Sequence, residues 1–319
     1  MDNAGDGFDD PGSNLAMWPT DEHGIIQRST LLDIGVTDAE VKRALRSGEI
    51  IALDRGFYLP AAQLPTYDID DAVYRYKVVA AASRQSMPLT HESAAAVHGL
   101  ATLKPDRSVV HFGTNRSSGG RRMHSRHIHT GVPDDVLVVV SGIAVTSIAR
   151  TAADVAACAD LARALAVMDS ALRLGATLEE LRAEAARHRI RGAAVVDAAL
   201  RYADGRSANP GESWGRAQMI EAGLPVPDLQ SEFELADGSS AFTDYDWARR
   251  LIAEFDGVRK YGRDLRPGQS VEDAVVREKV REDRLRDLGC DVVRFIWADL
   301  ENRLMVPRVT QKLRRHGLL

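Results

Sequence analysis

The sequence predicts an α+β protein in three parts: a helix–turn–helix–hairpin near the N-terminus, a central mixed α/β region, and a C-terminal α/β core. Three observations predict this. A chain of 319 residues with 45% hydrophobic and 27% charged residues can bury more than one core and sits in the ordinary globular range. Residues 28–60 pass from two helical periodicities, each stopped by glycine, into a short alternating hairpin. Beyond residue 206, strand-forming runs lie between a helix led in by Asn-Pro-Gly and a charged helix.

Residues 1–22 are acidic and Gly-rich without periodicity, so they are expected to form a disordered tail. From 23 to 62 the pattern tightens. "QRSTLLDIG" reads as a helix ended by Gly35. In "VTDAEVKRALRSG" Thr37 and Glu40 are spaced as a capping box, Val41, Ala44 and Leu45 supply a buried face, and Gly48 terminates the helix. "EIIALDRGFYLP" then reads as two strands turning at Asp54-Arg55-Gly56. Helix, turn, helix, hairpin is the order of a winged helix-turn-helix, in which the second helix enters the DNA major groove and the wing touches backbone. Lys42, Arg43 and Arg46 on the outer face, with Arg55 at the wing tip, are the candidate DNA contacts. Asp38 and Glu40 at the leading end of that helix oppose the assignment, and a protein-docking role is the alternative.

The central region, 63–205, carries helical patterns at 67–83, at "THESAAAVHGL" and throughout 146–202, with strand-like "RSVVHFGT" and "RHIHTGV" between them. "NRSSGGRRMHSR" has a loop composition. Arg116, Arg121 and Arg122, with Lys104, Arg107 and Arg126, make a basic patch opposed by Asp106, suited to a phosphate backbone or simply to solvent. Six of the nine histidines, His91, His98, His111, His124, His127 and His129, fall in this region. Their spacing matches no zinc template, and His127 with His129 reads as one polar strand face, which argues against a metal site.

In the C-terminal part, 206–319, a helix runs to Gly223. Strands follow on either side of Asp237-Gly238, then the strand "RLIAEFD", a charged helix over 271–288, the apolar strand "CDVVRFI" and a final helix after Trp297. The stretch "FTDYDWARRLIAEFDGVRKY" places Asp244, Asp246, Glu254 and Asp256 among strand formers, and buried charge of that density needs a neutralising partner. Alternation puts Glu254 and Asp256 on one face and Leu251, Ala253 and Phe255 on the other. A strand connection of odd length would bring Asp244 diagonal to Glu254 on the same face; an even one would separate them. Carboxylates so grouped suit Mg²⁺ or Mn²⁺, an ion able to activate a water for attack on phosphorus, with Lys260 placed to neutralise developing charge. A solvated edge strand guarded by charge is the plainer alternative.

These residues carry a resemblance. "GESWGRAQMIEAGLPVPDLQSEF", "EFDGVRKYG", "REKVREDRLRDLGCDVVRF" and "WADL" resemble, over about 110 residues in order, very-short-patch-repair-like PD-(D/E)XK endonuclease domains (DUF559-like). The resemblance implies a restriction-endonuclease-like α/β core that hydrolyses phosphodiester bonds with Mg²⁺ or Mn²⁺. Asp244, Glu254 and Asp256 fall at the metal site, Glu212 and Lys260 beside it, and Arg281, Glu282 and Arg294 at the later charged positions. It departs from the parent pattern where Asp256 replaces lysine, which puts catalysis in doubt. "LLDIGVTDAEVKRALRSGEIIALDRGFYLP", "LTHESAAAVHGL" and "GIAVTSIARTAADVA" resemble AbiEi-type antitoxin regulators, closely over the first 60 residues and more loosely to 155. That resemblance implies DNA binding and autoregulation of an operon, and it allows a cognate toxin protein and a homodimer as partners. Under it the nuclease-like part is a scaffold.

Charge and length set outer bounds. The net charge of -5 makes any nucleic-acid contact a local matter. Two cysteines, 158 and 290, are too far apart to suggest a disulfide framework and fit a reducing compartment. No apolar run reaches bilayer length and the N-terminus lacks the basic and apolar regions of a leader, so a cytoplasmic protein with no membrane partner is expected.

Overall fold

The computed structural model describes residues 18–187, 192–257 and 271–319, the stretch 271–278 by its backbone alone. Lys260 and most of the expected acidic tail lie outside the described residues. The protein is mixed α+β, with several small sheets, and divides into two compact units, Met1–Pro65 and Thr66–Leu319.

In the first unit, β1 (Ile26–Gln27), β2 (Ile50–Asp54) and β3 (Phe57–Pro60) form an antiparallel sheet in the order β1-β3-β2, with Gly56 at a φ of 81° in the turn between β2 and β3. Helices α1 (Arg28–Asp33) and α2 (Asp38–Ser47) lie between β1 and β2 in sequence. The start of α2 is fixed by its own residues. The Thr37 hydroxyl accepts the Glu40 amide and the Glu40 carboxylate accepts the Thr37 amide, closing the expected capping box, worth about 1 kcal/mol. Gly48 ends the helix in the left-handed region at a φ of 76°. Ile26, Leu31, Val41, Ala44 and Ile50 make the core, with Leu45 at its margin.

The second unit opens with α3 (Ile69–Ala82) and α4 (His91–His98), which pack on β4 (Val110–Thr114) of a sheet that also holds β5 (Arg121–Arg122) and β6 (Arg126–Thr130). β6 lies between the other two, parallel to β4 and antiparallel to β5. The segment read as pure loop thus contains β5: Arg121 and Arg122 pair with Ile128 and His127, because the glycines at 119 and 120 let the chain double back. The hairpin β7 (Leu137–Val140) and β8 (Ile143–Thr146) leads into the helices α5 (Ile148–Ala157), α6 (Leu161–Arg173), α7 (Leu178–Arg187) and α8 (Ala193–Tyr202). Their small apolar faces, among them Ala152, Ala156, Ala164, Val167, Met168 and Ala171, form one core.

The Thr146-Ser147, Arg150-Thr151 and Asp154 motif acts as a buried lock at the β8–α5 junction. Ser147 caps the helix by accepting the Arg150 amide, Thr151 and Thr146 hydroxyls pair at 2.7 Å, and Arg150 meets Asp154 one turn on at 2.9 Å. A second buried lock joins α6 to α9 (Pro210–Glu221). Asp169 accepts Arg216 at 2.7 Å, the Ser213 hydroxyl at 2.7 Å and the Asp204 amide at 2.8 Å. Removing one partner of such a pair costs about 3–5 kcal/mol, because the other charge is left buried alone.

After α9 come the strands β9 (Asp228–Glu234), β10 (Ser240–Trp247) and β11 (Leu251–Phe255), an antiparallel meander. Helix α10 (Val271–Asp287) precedes β12 (Asp291–Phe295), which pairs with β11 in parallel; α11 (Trp297–Glu301) and α12 (Met305–Arg315) close the chain. The sheet order is β12-β11-β10-β9, so β11 is a central strand. Tyr245, Trp247, Leu251, Ala253, Phe255 and Phe295 pack with Met305, Val309 and Leu313 of α12. Helix α9 approaches that layer through glycines: a Cβ on Gly211 would stand 2.2 Å from Phe255 Cε1, and one on Gly215 2.9 Å from the Tyr245 hydroxyl. Ile252 and Val292 instead pack with Phe233, Ala241, Cys290 and Leu285 of α10.

Candidate functional site

The site is built on the two central strands. The connection from Trp247 to Leu251 has the odd length: Trp247 pairs with Leu251, Asp246 with Ile252 and Tyr245 with Ala253. The ladder ends at Tyr245–Ala253, and one step further Asp244 meets β11 through its side chain; the odd connection is the one that a same-face placement of Asp244 and Glu254 requires. Ala248 and Arg249 turn the chain in the left-handed region, and Asp246, 4% exposed, accepts the Arg249 amide at 2.9 Å. The charge of Asp246 therefore caps a turn. Asp244 accepts the Phe255 amide at 2.8 Å, so its carboxylate continues the ladder at the end of β11.

Glu254 stands on a central, covered strand with its side chain 5% exposed, and arginines supply its countercharge. Both its oxygens accept Arg281 Nη2 at 2.7 Å, and Arg294 Nη2 lies 3.1 Å from Oε2. Arg281 comes from α10 and also donates to the Phe242 carbonyl at 2.9 Å. Arg294 comes from β12, where it is the register partner of Glu254, and its Nε lies 2.7 Å from Glu282. Asp256 is 3.9 Å from Arg294. Glu212 closes the N-terminus of α9, accepting the Ala208 amide at 2.7 Å and Asn209 Nδ2 at 2.6 Å.

Hard cations such as Mg²⁺ and Mn²⁺ take carboxylate oxygens; in this structure the oxygens of Glu254 face two guanidinium groups. Among the described residues, Asp244, Glu254 and Asp256 do not bring three ligand oxygens within 4.8 Å of one another; the set that meets that condition is His91, His111 and His129. Those histidines are the functional candidates that spacing alone missed.

The first unit presents the other candidate surface. Lys42, Arg43 and Arg46 are exposed on α2, on the side away from Val41 and Ala44, and Arg55 is exposed in the β2–β3 turn. The two carboxylates that opposed a DNA reading are locally answered. Arg28 grips Asp38 with Nε and Nη2 at 2.7–2.9 Å, while Glu40 is spent on the capping box. These contacts hold both carboxyls below their usual range, through hydrogen bonds from Arg28 and from Thr37 respectively. In the second unit Arg116, Arg121 and Arg122 are exposed, but Lys104 and Arg107 of the same expected patch are paired away, to Glu301 and Asp71.

No protein-family model matches the sequence. The uncharacterized proteins MT2308 and Rv2248 of Mycobacterium tuberculosis, from strains CDC 1551 / Oshkosh and ATCC 25618 / H37Rv, are each 32% identical to it over 180 residues. The match takes in 56% of this chain and 63% of theirs, so the chain spans less than two thirds of the curated relatives' length. The crystal structure of the RV2827C protein from Mycobacterium tuberculosis superposes with a TM-score of 0.35 at 12% identity, over 67% of this chain and 83% of that one. No helix among the described residues is long and apolar enough to cross a membrane.

Proposed function

We propose that this chain is a DNA-binding regulator of the AbiEi-like kind. In this reading its first unit is a winged helix-turn-helix, and its C-terminal core keeps a PD-(D/E)XK layout without cutting DNA. The observation that carries the reading is the exposed Lys42, Arg43 and Arg46 face of α2, on a helix whose opposing carboxylates are already engaged. Such a face meets phosphates or base edges in a major groove, with Arg55 of the wing on the adjacent backbone. The order helix, three-stranded meander, helix and parallel fourth strand supports a nuclease-like core, and the arginine clamp on Glu254 supports its being a scaffold. A cognate toxin and a second copy of the chain are the partners this reading allows.

The hydrolase reading is favoured by one feature, the odd connection between the central strands β10 and β11, which would set Asp244 and Glu254 on one face. One experiment separates the two. Duplex DNA from the chain's own upstream region is titrated with wild-type protein and with Arg43→Ala/Arg46→Ala over a range of salt. The double variant should bind more weakly, and the salt slope should fall by about 1 for each phosphate that is no longer neutralised. Equal affinity and equal slope would refute the assignment of α2. Cleavage of the same DNA in Mn²⁺ by wild type, absent in Glu254→Gln, would replace the scaffold reading with the hydrolase.

A further inference from the structure

Three segments separate in sequence bring three imidazoles together in the second unit. β4 and β6 pair in parallel with His111 opposite His127 and Gly113 opposite His129, so these histidines share one face of the sheet. The segment before α4 runs along β4: the Gly113 amide donates to the Pro88 carbonyl at 2.8 Å and the Thr90 amide to the His111 carbonyl at 3.1 Å. Glycine at 113 permits this approach, since a Cβ there would stand 2.7 Å from Thr90 Cγ2 and 3.0 Å from Val132 Cγ2. His91 then takes up the left-handed region, at a φ of 49°, and lays its ring on His129 with centroids 3.7 Å apart. A residue with a β-carbon held at positive φ is uncommon and costs energy, of order 1–3 kcal/mol, which the surrounding packing must offset.

The ring nitrogens converge. His111 Nδ1 is 2.9 Å from His129 Nε2, and one ligand nitrogen from each of His91, His111 and His129 lies within 4.8 Å of the others. Zn–N bonds of about 2.0–2.1 Å set ligand nitrogens about 3.3 Å apart in a tetrahedron, close to the His111–His129 separation. The outer nitrogens have oxygen partners, as the ligating histidines of metal sites do. Thr90 Oγ1 is 3.0 Å from His91 Nδ1, and a Glu92 oxygen is 3.5 Å from His111 Nε2. For His111 the other nitrogen, Nδ1, is the one that faces His129. Burial keeps the three imidazoles neutral at physiological pH, and mutual repulsion of their charged forms adds to it, so each ring has one lone pair; the proton shared by His111 Nδ1 and His129 Nε2 would move to an outer nitrogen for both to ligate.

We propose that His91, His111 and His129 form a binding site for a divalent first-row transition-metal ion, Zn²⁺ foremost. Three neutral imidazoles with no carboxylate in the set select borderline-soft ions over Mg²⁺ or Mn²⁺. The ion would tie the start of α4 to both strands of the β4/β6 pair and leave a fourth position open to water or another ligand. His127, whose ring lies 3.9 Å from that of His129, stands outside the ligand set.

The test uses untagged full-length protein stripped with a chelator. Zn²⁺ is titrated against a chromophoric competitor, Co²⁺ is added in parallel for its tetrahedral visible absorption, and thermal unfolding is followed with and without Zn²⁺. One equivalent bound, a tetrahedral Co²⁺ spectrum and a raised Tm are expected for wild type and for His127→Gln. All three should be lost in His111→Gln and in His129→Gln that retain wild-type circular dichroism. A wild type that takes up no equivalent and shows no Tm shift overturns the site, whatever the variants do. So does an equivalent bound unchanged by folded His111→Gln and His129→Gln.

Discussion

Replacing Glu254 with glutamine tests what its charge is for. In the structure that charge balances Arg281 and Arg294, each 26% exposed at the side chain, while Glu254 itself is 5% exposed. Breaking a fully buried pair costs about 3–5 kcal/mol. The figure is smaller here, since both arginines reach solvent and Arg294 keeps Glu282 at 2.7 Å, so about 2–3 kcal/mol is expected. For a unit of this size roughly 2–4 °C accompanies each kcal/mol, and Glu254→Gln should therefore unfold about 4–12 °C below wild type in metal-free buffer. A metal ligand behaves differently. An ion present at 100 times its dissociation constant would add about 2.7 kcal/mol to wild type and nothing to a variant that cannot hold it. Differential scanning fluorimetry of both proteins, in chelator and in excess Mn²⁺, gives the four transition temperatures needed. The clamp predicts a large gap between the proteins that Mn²⁺ does not widen. Equal stability in chelator, with Mn²⁺ raising wild type alone, would refute the clamp and restore Glu254 as a ligand.

Two further predictions concern the packing that carries these sites. Gly211→Ala would press a methyl into the Phe255 ring, 2.2 Å from Cε1, and should lower stability by about 1–3 kcal/mol or more, read as a fall in urea midpoint at constant m. Asp154, buried beside Arg150, has its carboxyl pushed up to about 6 by burial, with Arg150 pulling the other way. Because the folded value is raised, its contribution is fully present below about pH 4, the unfolded value, and is lost as pH rises through 6. Wild type minus Asp154→Asn, compared in unfolding free energy from pH 4 to 7, should isolate that loss; a flat difference would contradict it. Glu92 and Asp169 shift in the same direction, so the single-protein profile alone does not separate them.

Local signals were legible wherever a residue answers to its neighbours along the chain. Thr37 and Glu40 announce the start of α2 and Gly48 its end, because capping is decided within four residues. The alternation in "RLIAEFD" marked a strand and Glu254 as its anomaly. What alternation does not state is the partner. Arg281 and Arg294 reach Glu254 from 27 and 40 positions away, one by helix packing and one by parallel register, and a carboxylate awaiting a metal reads the same as one awaiting guanidinium.

The histidines show the same limit more sharply. Spacing templates for metal sites assume ligands delivered by a short loop or one helix face, and 91, 111 and 129 fit neither. Their meeting depends on three tertiary facts: the parallel pairing of β4 with β6, the missing side chain at Gly113, and the left-handed turn at His91. Of these only the glycine is visible in sequence, and an isolated glycine in a strand has a general meaning, close approach of another backbone. Taken with a run of histidines at alternate positions on one strand and another histidine at a helix start, that meaning becomes specific. Gly113→Ala should therefore displace Thr90 and His91 from β4 and weaken the three-imidazole cluster without touching a ligand. If Zn²⁺ binds, its affinity should fall in Gly113→Ala while His127→Gln leaves it unchanged. Unaltered affinity in a folded Gly113→Ala protein would show that the close approach of the 88–91 segment is not what brings the rings together.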